Sequence, residues 1–235
     1  MNYYTKKRQK PRIFYPSDIG IGILYAIFLI SLGLILAINL RFLYYANIKW
    51  FDLEQSTGLP YQVIKENYDA LIDYCSPFFH GDLVFPSLAA SASGISHFAE
   101  VKVIFNVFYI MFAITSISLI VIFIMKRKKR QYQYMRTVSI TSIVLPVITL
   151  IACSINFNAA FNIMHKILFR NDDWLFDPQT DPIILLLPER FFLQCAFIII
   201  AVVLIGCLIL YLVYRHHKKM NKSVPLIKPK VNYFY

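Results

Sequence analysis

Four uninterrupted apolar blocks, at roughly residues 20–43, 103–125, 137–161 and 191–214, constrain this chain more than any other feature. Each is long enough to cross a hydrocarbon core that takes about 20 residues of helix. Inside that core no water satisfies backbone N–H and C=O groups, so a block of this kind closes its hydrogen bonds within itself as a helix. The composition agrees, with 58% hydrophobic and only 16% charged residues, and no internal repeat relates the blocks. The expected fold is an all-α membrane protein with four transmembrane helices. The first block follows a basic leader, as a cleaved signal peptide would. Its apolar core is about twice the usual length for such a peptide and no small-residue cleavage site follows, so it is read as a retained helix.

Charge orients the four helices. Lys6, Lys7, Arg8, Lys10 and Arg12 precede the first block, Lys126 to Arg130 with Arg136 separate the second from the third, and Arg215 to Lys230 follow the fourth. These segments hold 17 of the 24 basic residues, whereas 12 of the 13 acidic residues, all but Asp18, lie in the other two connections. The excess of Lys and Arg marks the cytoplasmic side. The expected organisation is a cytoplasmic N-terminus (1–19), spans at 20–43, 103–125, 137–161 and 191–214, a cytoplasmic loop (126–136) and a cytoplasmic tail (215–235). Residues 44–102 and 162–190 then form a small extracellular cap on a multi-pass cell-membrane protein. The net charge of +11 is accounted for by topology and by attraction to anionic membrane lipid, and no nucleic-acid partner is expected.

Cysteine chemistry adds little. Cys153, Cys195 and Cys207 fall inside or at the edge of spans, leaving Cys75 alone in an outer segment, so no disulfide framework is expected. Cys75 near His80 is a weak candidate nucleophile, because Ser76-Pro77-Phe78-Phe79 between them supplies no activating pattern.

The outer segments carry more information. Ile64, Tyr68, Leu71, Ile72 and Cys75 recur at helical spacing after Pro60, which predicts an amphipathic outer helix. Leu83-Val84-Phe85 is compatible with one short strand, and Ser87 to Gly94 is small and flexible. In the second segment Asn171 to Pro182 is dense in Asp, Trp and Pro, hence rigid. The following Ile183-Ile184-Leu185-Leu186-Leu187-Pro188 is too short to span and too apolar to be solvated, so a dip into the membrane interface is expected.

Two histidines stand at the outer ends of spans. His97 opens the second, with Glu100 one turn away and able to orient it; the alternative is an interfacial His beside an ordinary Glu. Asn158, Phe161, Asn162 and His165 recur at helical spacing at the exit of the third, so two amides and an imidazole share a stripe that faces a bundle interior, a wet cavity or an interhelical hydrogen-bond seam. Imidazole titrates near neutrality and accepts and returns protons at little cost. Asp172, Asp173, Asp177 and Asp181 lack the glycine and terminal Glu of a calcium loop, and two histidines without a third ligand do not make a zinc site, so no metal is expected.

Taken together, His97-Phe98-x-x-Val101-Lys102, Phe161-x-x-x-His165-Lys166-x-x-Phe169, Asp173-Trp174-Leu175-x-Asp177-Pro178-x-x-Asp181 and Pro188-x-x-Phe191-Phe192 resemble the lipoprotein intramolecular transacylase (Lit) family of Gram-positive bacteria, over about residues 90 to 192. Where that family commonly has Asp, this chain has Glu100. The resemblance implies an acyltransferase that moves the sn-2 acyl chain of a diacylglyceryl-cysteine lipoprotein to the cysteine α-amino group and leaves a lyso-form lipoprotein. It implies His97 and His165 as catalytic residues on the extracellular side, with diacylglyceryl lipoproteins and membrane lipid as partners and no cofactor. Glu100, Asn158, Asp173, Trp174 and Asp181 are supporting candidates, and Lys102, Asn162, Lys166 and Arg190 compete as oxyanion donors. Donor and acceptor share one molecule, so no acyl-enzyme and no nucleophile elbow are needed. The competing reading is a non-enzymatic four-helix scaffold that binds lipid or a protein partner. A transporter is disfavoured, since the spans lack paired buried acids, broken helices and an inverted repeat.

Overall fold

In a computed structural model, residues 15–222 are described; the basic leader and the last part of the tail lie outside them. Among the described residues nine α-helices follow one another: α1 (Pro16–Asn39), α2 (Arg41–Trp50), α3 (Leu53–Thr57), α4 (Tyr61–Tyr74), α5 (Ala92–Lys128), α6 (Tyr134–Ser142), α7 (Val144–Ile155), α8 (Phe157–Leu168) and α9 (Glu189–Lys222), with a 3-10 turn at Pro182–Leu186 before the last. Four helical stretches are long and apolar enough to cross a membrane: α1, α5, α6 with α7, and α9.

α1 is central, packing against α5, α6 and α9, while α6 and α7 also pack on α9. In lipid, where apolar surface gains little by leaving the tails, close backbone approach and hydrogen bonds hold helices together. Gly33 allows that approach, since a Cβ there would stand 2.9 Å from the Cα of Ile199. Across α1 and α6 the Ser142 hydroxyl donates to the Gly22 carbonyl at 2.7 Å. The outer face of α5 carries Val103, Val107, Ile110, Ile114, Ile117, Val121 and Ile124, all exposed. Their alternating spacing of four and three residues is one continuous stripe of a helix, turned to where lipid tails would lie.

The cap is built otherwise. Helices α2 to α4 and the 3-10 turn enclose a core in which Tyr44, Ile48, Ile64, Ile183 and Leu186 have no exposed surface. The rings of Tyr44 and Tyr68 stack at 3.5 Å with 8° between their planes, and Phe191 at the start of α9 meets both edge-on. The Tyr44 hydroxyl donates to the Leu186 carbonyl at 2.8 Å. At the rim, Asp69 of α4 accepts from Arg41, Tyr45 and Lys65. Burial raises the pKa of this carboxyl, but those donors outweigh burial and hold it below its usual range.

The structure amends several details. The first helix ends at Asn39 and the chain turns at Leu40, so Leu43, expected within the span, packs against the cap core. The third apolar block is interrupted at Asn156, whose extended backbone ends α7 and whose side chain accepts from the Ala159 N–H to start α8. Expected helix α4 is present, with Ile64, Tyr68 and Leu71 inward. No strand forms among the described residues: at 83–85 Leu83 and Phe85 point into the core and Val84 outward, an extended alternation without a partner strand. Ile183 and Leu186, read as dipping toward lipid, fill the cap core instead, and burial among protein side chains accounts for their apolarity.

Candidate active site

The two imidazoles meet where the cap closes over the bundle. His97 sits in the second turn of α5, and that start is fixed by capping: the Ser91 side chain accepts from the Gly94 N–H at 3.0 Å. The Ser91 N–H in turn donates to Asp181 at 2.8 Å, and the Thr180 hydroxyl donates to the same carboxylate at 2.7 Å. A Cβ on Gly94 would stand 2.2 Å from Asp181 Oδ1, so only glycine admits this contact. Asp181 is 2% exposed; burial raises its pKa, and the bonds from Ser91 and Thr180 more than reverse this.

His165 lies one turn from the end of α8. Its ring centroid is 6.0 Å from that of His97, and the planes are inclined at 32°. Both are buried, at 4% exposed for His97 and 9% for His165. Aromatic rings enclose them: Phe169 and Phe176 stand at 4.6 and 5.4 Å from His97, and Phe161 and Trp174 at 4.1 and 5.0 Å from His165. Phe176 also stacks on Phe98, a member of the cap core. The site is therefore continuous with the packing of the cap.

His165 Nδ1 lies 2.8 Å from the Phe161 carbonyl oxygen. A carbonyl only accepts, so Nδ1 carries the hydrogen and Nε2 presents a lone pair. Burial pushes the His165 pKa below its usual range, against the opposing pull of that carbonyl, and the neutral ring predominates at neutral pH. Nδ1 of His97 has no hydrogen-bond partner.

The other candidates separate. Glu100 makes no hydrogen bond to His97; its Oε1 accepts from Asn171 at 2.9 Å and its Oε2 is buried without a partner. The orienting role expected from their spacing is therefore not made by direct contact. Asp173 is within electrostatic reach of His97, and Trp174 covers His165 while its indole N–H donates to the Asn171 carbonyl at 3.1 Å. Asn162 donates to Asn158, which donates to Glu189, a chain that ties α8 to α9. Lys102 turns away from the imidazoles: its Nζ donates to the Phe79 carbonyl and lies 4.2 Å from the Tyr74 ring centre. Arg190 lines a separate cleft with Phe51, Leu53, Thr57 and Pro188, and Lys166 is exposed. Cys75 is buried, which pushes its thiol up to about 12 and leaves it unsuited to nucleophilic work. Among the described residues no three His, Cys, Asp or Glu side chains are grouped to hold a metal ion.

Sequence reasoning named Phe161 and Phe169 beside His165 but gave neither a role, although a position four residues to either side brings their rings against the imidazole. Asn171 and Phe176 gave no such signal, because their partners lie on α5.

The model of the family described as lipoprotein intramolecular transacylase Lit matches residues 19–192. No curated protein sequence matches the chain. Among solved structures, the in meso structure of the membrane integral lipoprotein intramolecular transacylase Lit from Bacillus cereus is 34% identical, with a TM-score of 0.82 over 88% of this chain and 98% of that one. Two variants of that protein also match. One with a histidine replaced by arginine is 33% identical, with a TM-score of 0.77 over 89% of this chain and 92% of that one. One with a histidine replaced by alanine is 34% identical, with a TM-score of 0.78 over 87% and 93%.

Proposed function

The chain belongs to the lipoprotein intramolecular transacylase family, and from that premise we propose that His97 and His165 are the acid/base pair of an O-to-N acyl transfer. The substrate is a diacylglyceryl-cysteine lipoprotein, and the product is its lyso form. The observation that carries the reading is the 6.0 Å separation of two buried imidazoles contributed by different helices.

The α-amino nitrogen of the substrate cysteine attacks the sn-2 ester carbonyl. His165, whose Nε2 lone pair is free, takes a proton from that nitrogen. The tetrahedral intermediate collapses, the ester C–O bond breaks, and the departing glycerol oxygen receives a proton from His97 as His97 takes up the one held by His165. A C–N amide bond replaces the ester, one proton has moved from nitrogen to oxygen, and that exchange between the two rings resets the pair. Since ester and amine belong to one molecule, orientation is the main need, and well-aligned intramolecular reactions gain roughly 7–11 kcal/mol in this way. The packed rings around both histidines favour such confinement by excluding water.

Asp173 is read as balancing charge at His97, Trp174 as holding the His165 ring, and Asp181 as fixing the start of α5. Asn158 and Asn162 hold α8 on α9, and the Asn162 amide, one turn before His165, is an oxyanion candidate. The contacts of Lys102 and the separate cleft of Arg190 argue against these two as oxyanion donors, and Lys166 remains a candidate at the site's margin. The charge pattern of the sequence supports an extracellular site with cytoplasmic termini.

The test is mass spectrometry of N-terminal lipopeptides from lipoprotein-bearing cells with and without this chain. His97→Ala and His165→Ala are each expected to remove lyso-form lipoprotein, a loss on the order of 100-fold or more for a general acid or base, at undiminished protein abundance. Lyso-form lipoprotein persisting in either variant would refute the pairing.

A further inference from the structure

We infer that Asn171 is a positioning residue that holds the 170–176 loop, and with it the ring above His165, in register with the helix that carries His97. The inference rests on the acid/base reading above but is argued from a different set of contacts.

Asn171 works with three groups at once. Its Nδ2 donates to Glu100 Oε1 on α5 at 2.9 Å, its Oδ1 accepts from the Asp173 N–H at 3.2 Å, and its carbonyl accepts from the indole N–H of Trp174 at 3.1 Å. Glu100 is one turn along α5 from His97, and the Trp174 ring lies 5.0 Å from that of His165. The residue thus spans the distance between the two halves of the site. Among the described residues it joins the body of α5 to the loop after α8 by a side-chain hydrogen bond, as Asp181 joins that loop's far end to the α5 N-cap Ser91; other contacts there are between rings, such as His97 with Phe169 and with His165.

That difference matters physically. Ring contacts tolerate sliding and tilting, because dispersion is non-directional, whereas a hydrogen bond weakens steeply when bent. The loop is otherwise held by the Phe176 ring on His97 and Phe98 and, beyond it, by Asp181 on Ser91, while Asp172 and Asp177 are exposed and Leu175 is 61% exposed. Without the amide, Trp174 and Asp173 are free to drift from the imidazoles, and the Glu100 carboxylate, half of which is already buried without a partner, loses its one donor.

The chain has two tryptophans, and Trp50 on α2 is 69% exposed, so Trp50→Phe leaves Trp174 as the sole reporter. A protonated imidazole against an indole quenches its emission; the full-length Trp50→Phe protein should therefore lose emission as His165 takes a proton on acidification, and His165→Ala should abolish that response. Asn171→Ala in this background is expected to lose the response, and its kcat for lyso-lipoprotein formation to fall on the order of 100-fold, as small misplacements of reacting groups do, with KM little changed. Asn171→Asp alone, which sets two carboxylates face to face, should also lose it. Combining Glu100→Gln with Asn171→Asp reverses donor and acceptor and should restore it, which a loss of fold would not permit. A wild-type emission response in Asn171→Ala, or no recovery in the swapped pair, would overturn the inference. The emission arm does not depend on turnover, so a chain without transacylase activity would defeat the functional reading while the clamp was still decided.

Discussion

Within the cap, Tyr44, Ile48, Ile64, Ile183 and Leu186 are wholly enclosed, whereas on α5 Ile110, Ile114 and Ile117 keep 58%, 59% and 65% of their surface outside the protein. Similar side chains serve opposite arrangements because their surroundings differ. In water, apolar surface must be buried, and the cap buries it with a closed core, stacked tyrosines and a rim of ion pairs. Inside lipid the same surface carries no such penalty, and the bundle spends its close contacts on small residues and short hydrogen bonds. The candidate site lies along the seam, where Phe176 touches His97 on one side and Phe98 of the cap core on the other.

The largest way to break this contrast is in the cap. Tyr68→Ala removes a ring that stacks on Tyr44 and meets Phe191, and truncation of a buried aromatic costs about 3–5 kcal/mol. Limited proteolysis in detergent should cut the cap selectively while the spanning helices keep their circular dichroism. A smaller effect is expected between α1 and α9. Gly33→Leu forces a side chain against the Ile199 backbone, an overpacking of about 1–3 kcal/mol, readable as a lowered thermal midpoint that cleavage of the cap does not precede. The smallest belongs to the outer stripe. Ile114→Ala shortens a side chain that is 59% exposed, and its effect on stability should stay within about 0.5 kcal/mol. A destabilisation comparable to that of Tyr68→Ala would mean that the α5 face is covered by protein rather than lipid.

Legibility followed the same seam. The apolar blocks, the amphipathic α4 and the placing of His97 and His165 at helix ends were all readable, because each depends on local spacing. The absence of a strand at 83–85 was not, since alternation says nothing about whether a partner strand exists. The 182–186 turn showed its apolarity but not its destination: most of the cap core that receives it comes from Tyr44 to Cys75, far earlier in the chain. At the site, Glu100 was noticed for the neighbour it has along the helix, while its hydrogen bond runs to Asn171, 71 residues away. Lys102 and Arg190 had suitable chemistry, but helix rotation turned the first to Phe79 and the second to another cleft.

By itself, the sequence determined that this chain spans a membrane with four apolar helical stretches, that basic and acidic residues gather in alternate connections, and that two histidines stand at helix ends. These are properties of short windows, where solvation and helical geometry act residue by residue. Only the tertiary structure decided that the two imidazoles share one aromatic enclosure, that α8 begins anew at Asn156, and that Asn171 reaches across to α5. Those relations depend on how separate helices rotate and pack against each other, which no local spacing encodes.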